Sequence, residues 1–209
     1  MDISNAERVA KLIGNLTKNP DLVLPWVKTS LLSKKLPLFY PLPWWSFRAI
    51  DAAIPLVRGK TIFEYGTGGS TILFSRTAKR IRSVEDDAGW LEIVRQRLSV
   101  DQSSNVELIY RPFNFKAPEG FEQSAYLHEI GNEDWDIVII DGQDWTFRER
   151  IVCFDLVEPR MKPGGTIIFD DFWRYREVLP RSRASRIEEF ESVGPCRLGV
   201  TSTAFFHYE

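Results

Sequence analysis

TIFEYGTGGSTILFSR, residues 61 to 76, is the stretch whose reading decides the fold. Thr61–Tyr65 is β-branched and aromatic with no glycine or proline, the composition of a short buried strand. Gly66, Gly68 and Gly69 then permit a turn that a Cβ would obstruct, with Thr67 between them. Ser70 is a suitable N-cap for a helix over Thr71–Arg76. Strand, glycine turn and helix start make a cradle, because bare backbone lets a ligand approach and unpaired N–H groups point at it.

The spacing bears on which ligand. Dinucleotide cradles run G-x-G-x-x-G and seat a pyrophosphate. Here Glu64 closes the strand and the glycines follow as Gly66, Gly68 and Gly69. A carboxylate at that point repels pyrophosphate and suits a cationic ligand.

Further units follow in strand–helix alternation. Arg80–Glu85 reads as a second strand ending in an acid, about 20 residues past the glycines, the spacing at which a carboxylate takes ribose hydroxyls. Asp86 and Asp87 cap a helix over Ala88–Leu98, and Val106–Tyr110 is a third strand. A loop with a short helix leads to Ile137–Ile140, continuously apolar as a central parallel strand should be, ending in Asp141-Gly142. Residues 146–161 follow as a helix, then strand Thr166–Phe169 and the pair Asp170-Asp171. A last helical region is expected within Trp173–Ser192, broken by Pro180, and a terminal hairpin over Arg197–Thr201 and Thr203–Tyr208. The five arginines from Arg174 to Arg186 read as a solvated face, with anchoring of an anionic substrate as the alternative. His128 reads as a surface residue rather than a base.

Ahead of the first strand, residues 3–17 space Val9, Leu12, Ile13 and Leu16 as an amphipathic helix. From Leu22 to Phe47, Pro25, Pro37, Pro41 and Pro43 alternate with Trp26, Phe39, Tyr40, Trp44, Trp45 and Phe47, so turns and short pieces are expected. This arm packs over the core, covers a substrate, joins two copies as a homodimer or touches a membrane; its sequence does not separate these. Ser46–Val57 reads as a helix leading into the first strand. The division expected is an arm over residues 1–45 and an α/β domain over 46–209.

Bulk properties narrow the class. A chain of 209 residues with 44% hydrophobic and 27% charged residues is ordinary for a globular domain. Its net charge of -2 argues against general nucleic-acid binding. Cys153 and Cys196 are too far apart for a zinc cluster or disulfide framework. With no apolar leader and no run of about 18 apolar residues, a cytoplasmic protein is expected.

The order EYGTGGS, SVED, DIVIIDG and MKPGGTIIFDD resembles class I S-adenosylmethionine (SAM) methyltransferases over roughly residues 45–209, and most of all small O-methyltransferase-like proteins. The resemblance implies a doubly wound, Rossmann-like seven-stranded sheet with its last strand antiparallel. It places Glu64, Gly66, Gly68 and Ser70, with Thr67 in the same turn, at the methionyl end of SAM. Glu85 falls at the ribose, and Asp141 beside the sulfonium and a small-molecule acceptor. In some relatives the acids matching Asp141, Asp170 and Asp171 bind a divalent metal, so Mg²⁺ is expected there; three adjacent carboxylates otherwise repel one another. Relatives with I-D-G-D-H carry a histidine where this chain has Ile140-Asp141-Gly142-Gln143-Asp144, leaving Asp144 as the substitute base. O-methylation of a small molecule is the leading expectation. A non-catalytic SAM-binding or partner-binding domain is the alternative. A nicotinamide oxidoreductase is disfavoured by the glycine spacing and the lack of a Tyr-x-x-x-Lys pair.

Overall fold

The structure is a computed structural model that describes residues 5–32 and 40–209; Ile3, Pro37 and Phe39 lie outside the described residues. Helix α1 (Asn5–Lys18) is followed by a 3-10 turn (Pro20–Leu22), the short α2 (Val23–Trp26) and a π-turn (Val27–Leu31), so the proline-rich stretch does begin in short pieces. Helix α3 (Phe47–Leu56) starts where expected because the Ser46 hydroxyl accepts the Ala49 N–H.

The sheet then forms from β1 (Thr61–Tyr65), β2 (Arg80–Glu85), β3 (Val106–Tyr110), β4 (Ile137–Ile140), β5 (Thr166–Phe169), β6 (Arg186–Val193) and β7 (Val200–His207). Their spatial order is β3-β2-β1-β4-β5-β7-β6. Strands β1 to β5 pair in parallel, and β7 runs antiparallel to both β5 and β6. Helices α4 (Gly69–Phe74), α5 (Ala88–Val100), α6 (Ala125–His128) and α7 (Glu149–Val157) make the connections. Strand order reverses between β1 and β4, and their C-terminal ends part to leave the crevice in which doubly wound folds take ligands.

Two buried layers hold the sheet. Alternation along β4 sends Val138 and Ile140 to a face shared with Phe63, Tyr65, Phe154, Phe169 and Phe206. Ile137 and Ile139 go to the other face, with Ile62, Ile168 and Phe205. The second face also takes Leu22, Trp26 and Trp45, so the N-terminal segment shares a core with the sheet. The Trp26 indole N–H donates to the Arg197 carbonyl at 3.0 Å, and Arg48 clamps Asp21 and Asn19.

Two expectations are corrected. Residues 186–193 are a strand, and the terminal hairpin is β6 with β7 in place of the two segments read from Arg197 onward. Ile187, Phe190 and Val193 recur every three residues and imitate a helix, but eight paired positions along β7 override that local pattern. Phe190 meets Phe205 edge-on at 4.8 Å across the pair. Helix α4 begins at Gly69, and its cap is the Thr71 hydroxyl, which accepts the Gly68 N–H at 2.9 Å; Ser70 has another task.

Candidate active site

The crevice at the ends of β1 and β4 is a cleft of about 450 Å³. Its walls include the glycine turn from Gly66 to Ser70, Glu85 to Asp87 after β2, and Asp141 to Gln143 after β4. Gly66 turns in the left-handed region at φ +88°, and a Cβ there would lie 2.6 Å from the Gly142 Cα, so side-chain-free backbone is needed at both strand ends. At Gly68 a Cβ would meet nothing within 4 Å: the missing side chain is part of the cleft.

Glu64 lies beneath this floor and not on the wall. Strand alternation turns it onto the α4 face, where it is fully buried. Register sets Ser83 opposite it on β2, and that hydroxyl donates to Glu64 at 2.8 Å. The Thr71 hydroxyl donates at 2.5 Å, and the Ser70 hydroxyl completes the set. Burial pushes the Glu64 pKa up to about 7, against the pull of the three hydroxyls. Its carboxyl group thereby ties the glycine turn, the start of α4 and β2 together.

Glu85 reaches the wall. Its two oxygens accept the N–H groups of Thr67 (2.9 Å), Asp86 and Asp87 (3.0 Å each), and burial raises it to about 7. Oε1 takes both the Asp86 and Asp87 N–H groups, so it is Oε2, with Thr67 alone, that keeps a lone pair for a ligand hydroxyl. Asp87 caps α5 through the Trp90 N–H, and the Trp90 indole donates to the Thr67 carbonyl at 2.6 Å, closing this side of the cleft.

The opposite side is built from remote parts of the chain. Asp141 accepts the Trp45 indole N–H at 2.9 Å and faces the Arg150 guanidinium at 3.2 Å. Burial raises its pKa, while Arg150 and Trp45 oppose the rise. Arg150 also donates to the carbonyls of Gly142 (2.8 Å), Asp170 (3.1 Å) and Asp141 (3.3 Å). The neighbouring acids, Asp141 first, keep it charged against the cost of its burial. Trp45 is brought in by the N-terminal arm, which lines the cleft with Leu42, Pro43 and Trp44. The Leu42 carbonyl presses on Gly69 so closely that a Cβ there would collide with it.

The expected metal set does not form. Asp170 is buried, accepts the Thr203 hydroxyl at 2.6 Å, and is driven well above the carboxylate range by burial and by its two neighbouring acids. Asp171 adopts a left-handed backbone, φ +50°, that turns its carboxylate to Thr201 (2.8 Å) and Arg197 (3.4 Å). Burial opposes its ionisation, yet Arg197 and Arg150 bring its pKa below the ordinary value. Among the described residues no three His, Cys, Asp or Glu side chains are arranged to hold a metal ion. Arg150 stands among the three acids where a cation was expected.

Asp144 is not on the cleft wall. It accepts the Arg150 backbone N–H at 3.3 Å at the start of α7, and burial together with Glu149 raises it to about 6. His128 meets the Glu122 carbonyl at 2.8 Å, beside its own short helix. Sequence reasoning missed Trp45, Trp90, Arg150 and Arg197. For Arg150 a signal existed: it falls three, four and seven residues before the buried Cys153, Phe154 and Val157, so a charge lies on the apolar stripe of α7. No comparable pattern marks Trp45.

A family model described as a methyltransferase domain matches residues 63–172. No protein of curated function matches the sequence significantly. Among solved structures, an O-methyltransferase from Bacillus cereus in complex with S-adenosylhomocysteine (SAH) superposes with a TM-score of 0.60 at 18% identity, over 88% of this chain and 95% of that one. An rRNA methylase from Streptococcus thermophilus gives 0.57 at 14% identity, over 85% and 99%. A precorrin-6y C5,15-methyltransferase from Geobacter metallireducens gives 0.53 at 21%, over 77% and 87%. These likenesses establish a shared fold.

Proposed function

The chain belongs to the methyltransferase-domain family, as a class I SAM-dependent methyltransferase, and on that premise we propose that it methylates an oxygen of a small molecule without help from a divalent metal. The observation that carries this reading is the Arg150 guanidinium, 3.2 Å from Asp141 and bonded to the carbonyls around it. A metal ion on Asp141, Asp170 and Asp171 would have to sit against that fixed positive charge.

SAM, when bound, supplies an electrophilic methyl carbon. On this reading Gly66, Thr67, Gly68 and Ser70 form its methionyl cradle and Glu85 takes its ribose hydroxyls. Open space above Gly68 and the spare lone pair on Glu85 Oε2 support that fit. Glu64 acts from below by fixing the turn. Asp141, held by Trp45 and Arg150, orients the acceptor hydroxyl and receives its proton, which is the chief demand of a displacement reaction once the partners are aligned. Asp144 supports α7 from behind. The net charge of -2 favours a small acceptor over a nucleic acid. The test is SAH formation from SAM with hydroxylated acceptors, with and without a chelator. Turnover that a chelator leaves unchanged and Asp141→Asn abolishes is expected; activity that requires added Mg²⁺ would refute the metal-free reading.

A further inference from the structure

Beside the cleft, on the Asp171 side, lie exposed rings and guanidinium groups, linked through Arg197 and Asp171, that the proposed methyl transfer does not use. Trp44, a cleft-wall residue, is 53% exposed, and Phe147 and Trp173 are each 49% exposed. Arg197 donates to the Trp44 carbonyl at 2.9 Å and reaches the Asp171 carboxylate, which also feels the charge of Arg174. The Arg174 guanidinium then lies 5.0 Å from the Phe147 ring centre and 4.7 Å from that of Trp173. Among the described residues no carboxylate is within ion-pair distance of Arg174.

This arrangement selects a ligand by both shape and charge. Water-exposed aromatic faces gain by stacking against a flat partner. A guanidinium packed against two rings loses little further freedom on binding and can offer its N–H groups to paired oxygens. Each acid nearby already has donors: Asp141 has Trp45 and Arg150, Asp170 has Thr203, and Asp171 has Thr201 and Arg197. The charge left without a partner on the rim is therefore positive. We infer that the methyl acceptor is a flat anion, its ring stacked along the Trp44–Trp173 rim and its carboxylate or phosphate oxygens on Arg174. The inference rests on the proposed function and adds the chemical class of the acceptor to it.

The test is equilibrium binding by calorimetry to the SAH-saturated protein. The probes are 4-hydroxybenzoate, 4-hydroxyphenyl phosphate, 4-hydroxybenzamide, 4-hydroxybenzylamine and a short single-stranded oligoribonucleotide. Both anions should bind about tenfold or more tightly than the amide, the scale of one charge-assisted pair, and their ratio tells which oxygen group is preferred. Arg174→Ala should bring them to the level of the amide, Arg174→Lys should keep part of the preference, and Trp173→Ala should weaken all ring probes alike. SAH affinity should be unchanged in all three variants. Equal binding of anions and amide, no binding of either anion, or a preference that survives Arg174→Ala would overturn the inference, as would tighter binding of the oligoribonucleotide. Failure of the unaltered protein to bind SAH is a separate result and would instead remove the functional reading beneath it.

Discussion

The two sides of the cleft bury acids in opposite ways. On the β1–β2 side, Glu64 and Glu85 are surrounded by neutral donors, three hydroxyls for one and three backbone N–H groups for the other. Neutral donors do not repay the loss of water, and both pKa values rise to about 7. On the β4–β5 side, Arg150 and Arg197 stand among Asp141, Asp170 and Asp171; burial still raises Asp141 and Asp170, but Asp171 is brought below its ordinary value. One side thus holds its acids with neutral donors alone, and the other sets two guanidinium groups among its acids, ionising Asp171 although Asp170 is driven well above the carboxylate range. A site that has its own buried cation has less use for a borrowed one.

The largest way to break this comparison is Arg150→Ala. Removing the cation strands buried carboxylates, and a loss of about 3–5 kcal/mol is expected in denaturant unfolding at pH 8. The loss should shrink toward pH 5, where the acids can protonate; a loss under about 1 kcal/mol would mean that the network is not a counterion system. Next is Gly69→Ala, which drives a methyl group into the Leu42 carbonyl. A cost of about 2–3 kcal/mol and weaker SAH binding by calorimetry are expected, because the arm must lift from the cleft wall. An unchanged SAH affinity would show that the arm and the cradle are independent.

The protonated side is sharpened by pH. Glu64 and Glu85 titrate near 4.5 when unfolded and at about 7 when folded. Their contribution to stability is therefore complete below pH 4.5 and is lost as pH rises through 7. The melting temperature should fall between pH 5 and 8, and Glu64→Gln should flatten that fall, removing about 2 kcal/mol of the pH-dependent change. A melting curve with the same pH slope as the parent would show that Glu64 is ionised throughout. The smallest effect is expected from Trp45→Phe, which keeps a six-membered aromatic ring but deletes the N–H given to Asp141 and part of a fully buried indole. A loss of about 1–2 kcal/mol is expected from chemical denaturation, with a larger relative effect on turnover than on SAH affinity.

Legibility follows the same division. Thr61–Glu85 was readable because strand, turn and acid lie within one local unit, and β1, the glycine turn and β2 fall where the pattern put them. Strand β6 was not, since Ile187, Phe190 and Val193 fit a helix until β7 pairs with them. Asp141, Asp170 and Asp171 were visible as acids at strand ends, but their partners were not. Trp45 lies 96 residues from Asp141, and Arg197 lies 26 from Asp171.

By itself, then, the sequence determined the order of elements, the parallel α/β class and the two acids flanking a glycine turn, because backbone periodicity and turn chemistry act over a few residues. Only the tertiary structure decided that Glu64 braces the floor from below, that the N-terminal arm forms a wall, and that an arginine stands where a metal was expected. The physical reason is that a buried charge is stabilised by whichever groups the whole chain packs around it, and those groups carry no mark of their destination in the local pattern.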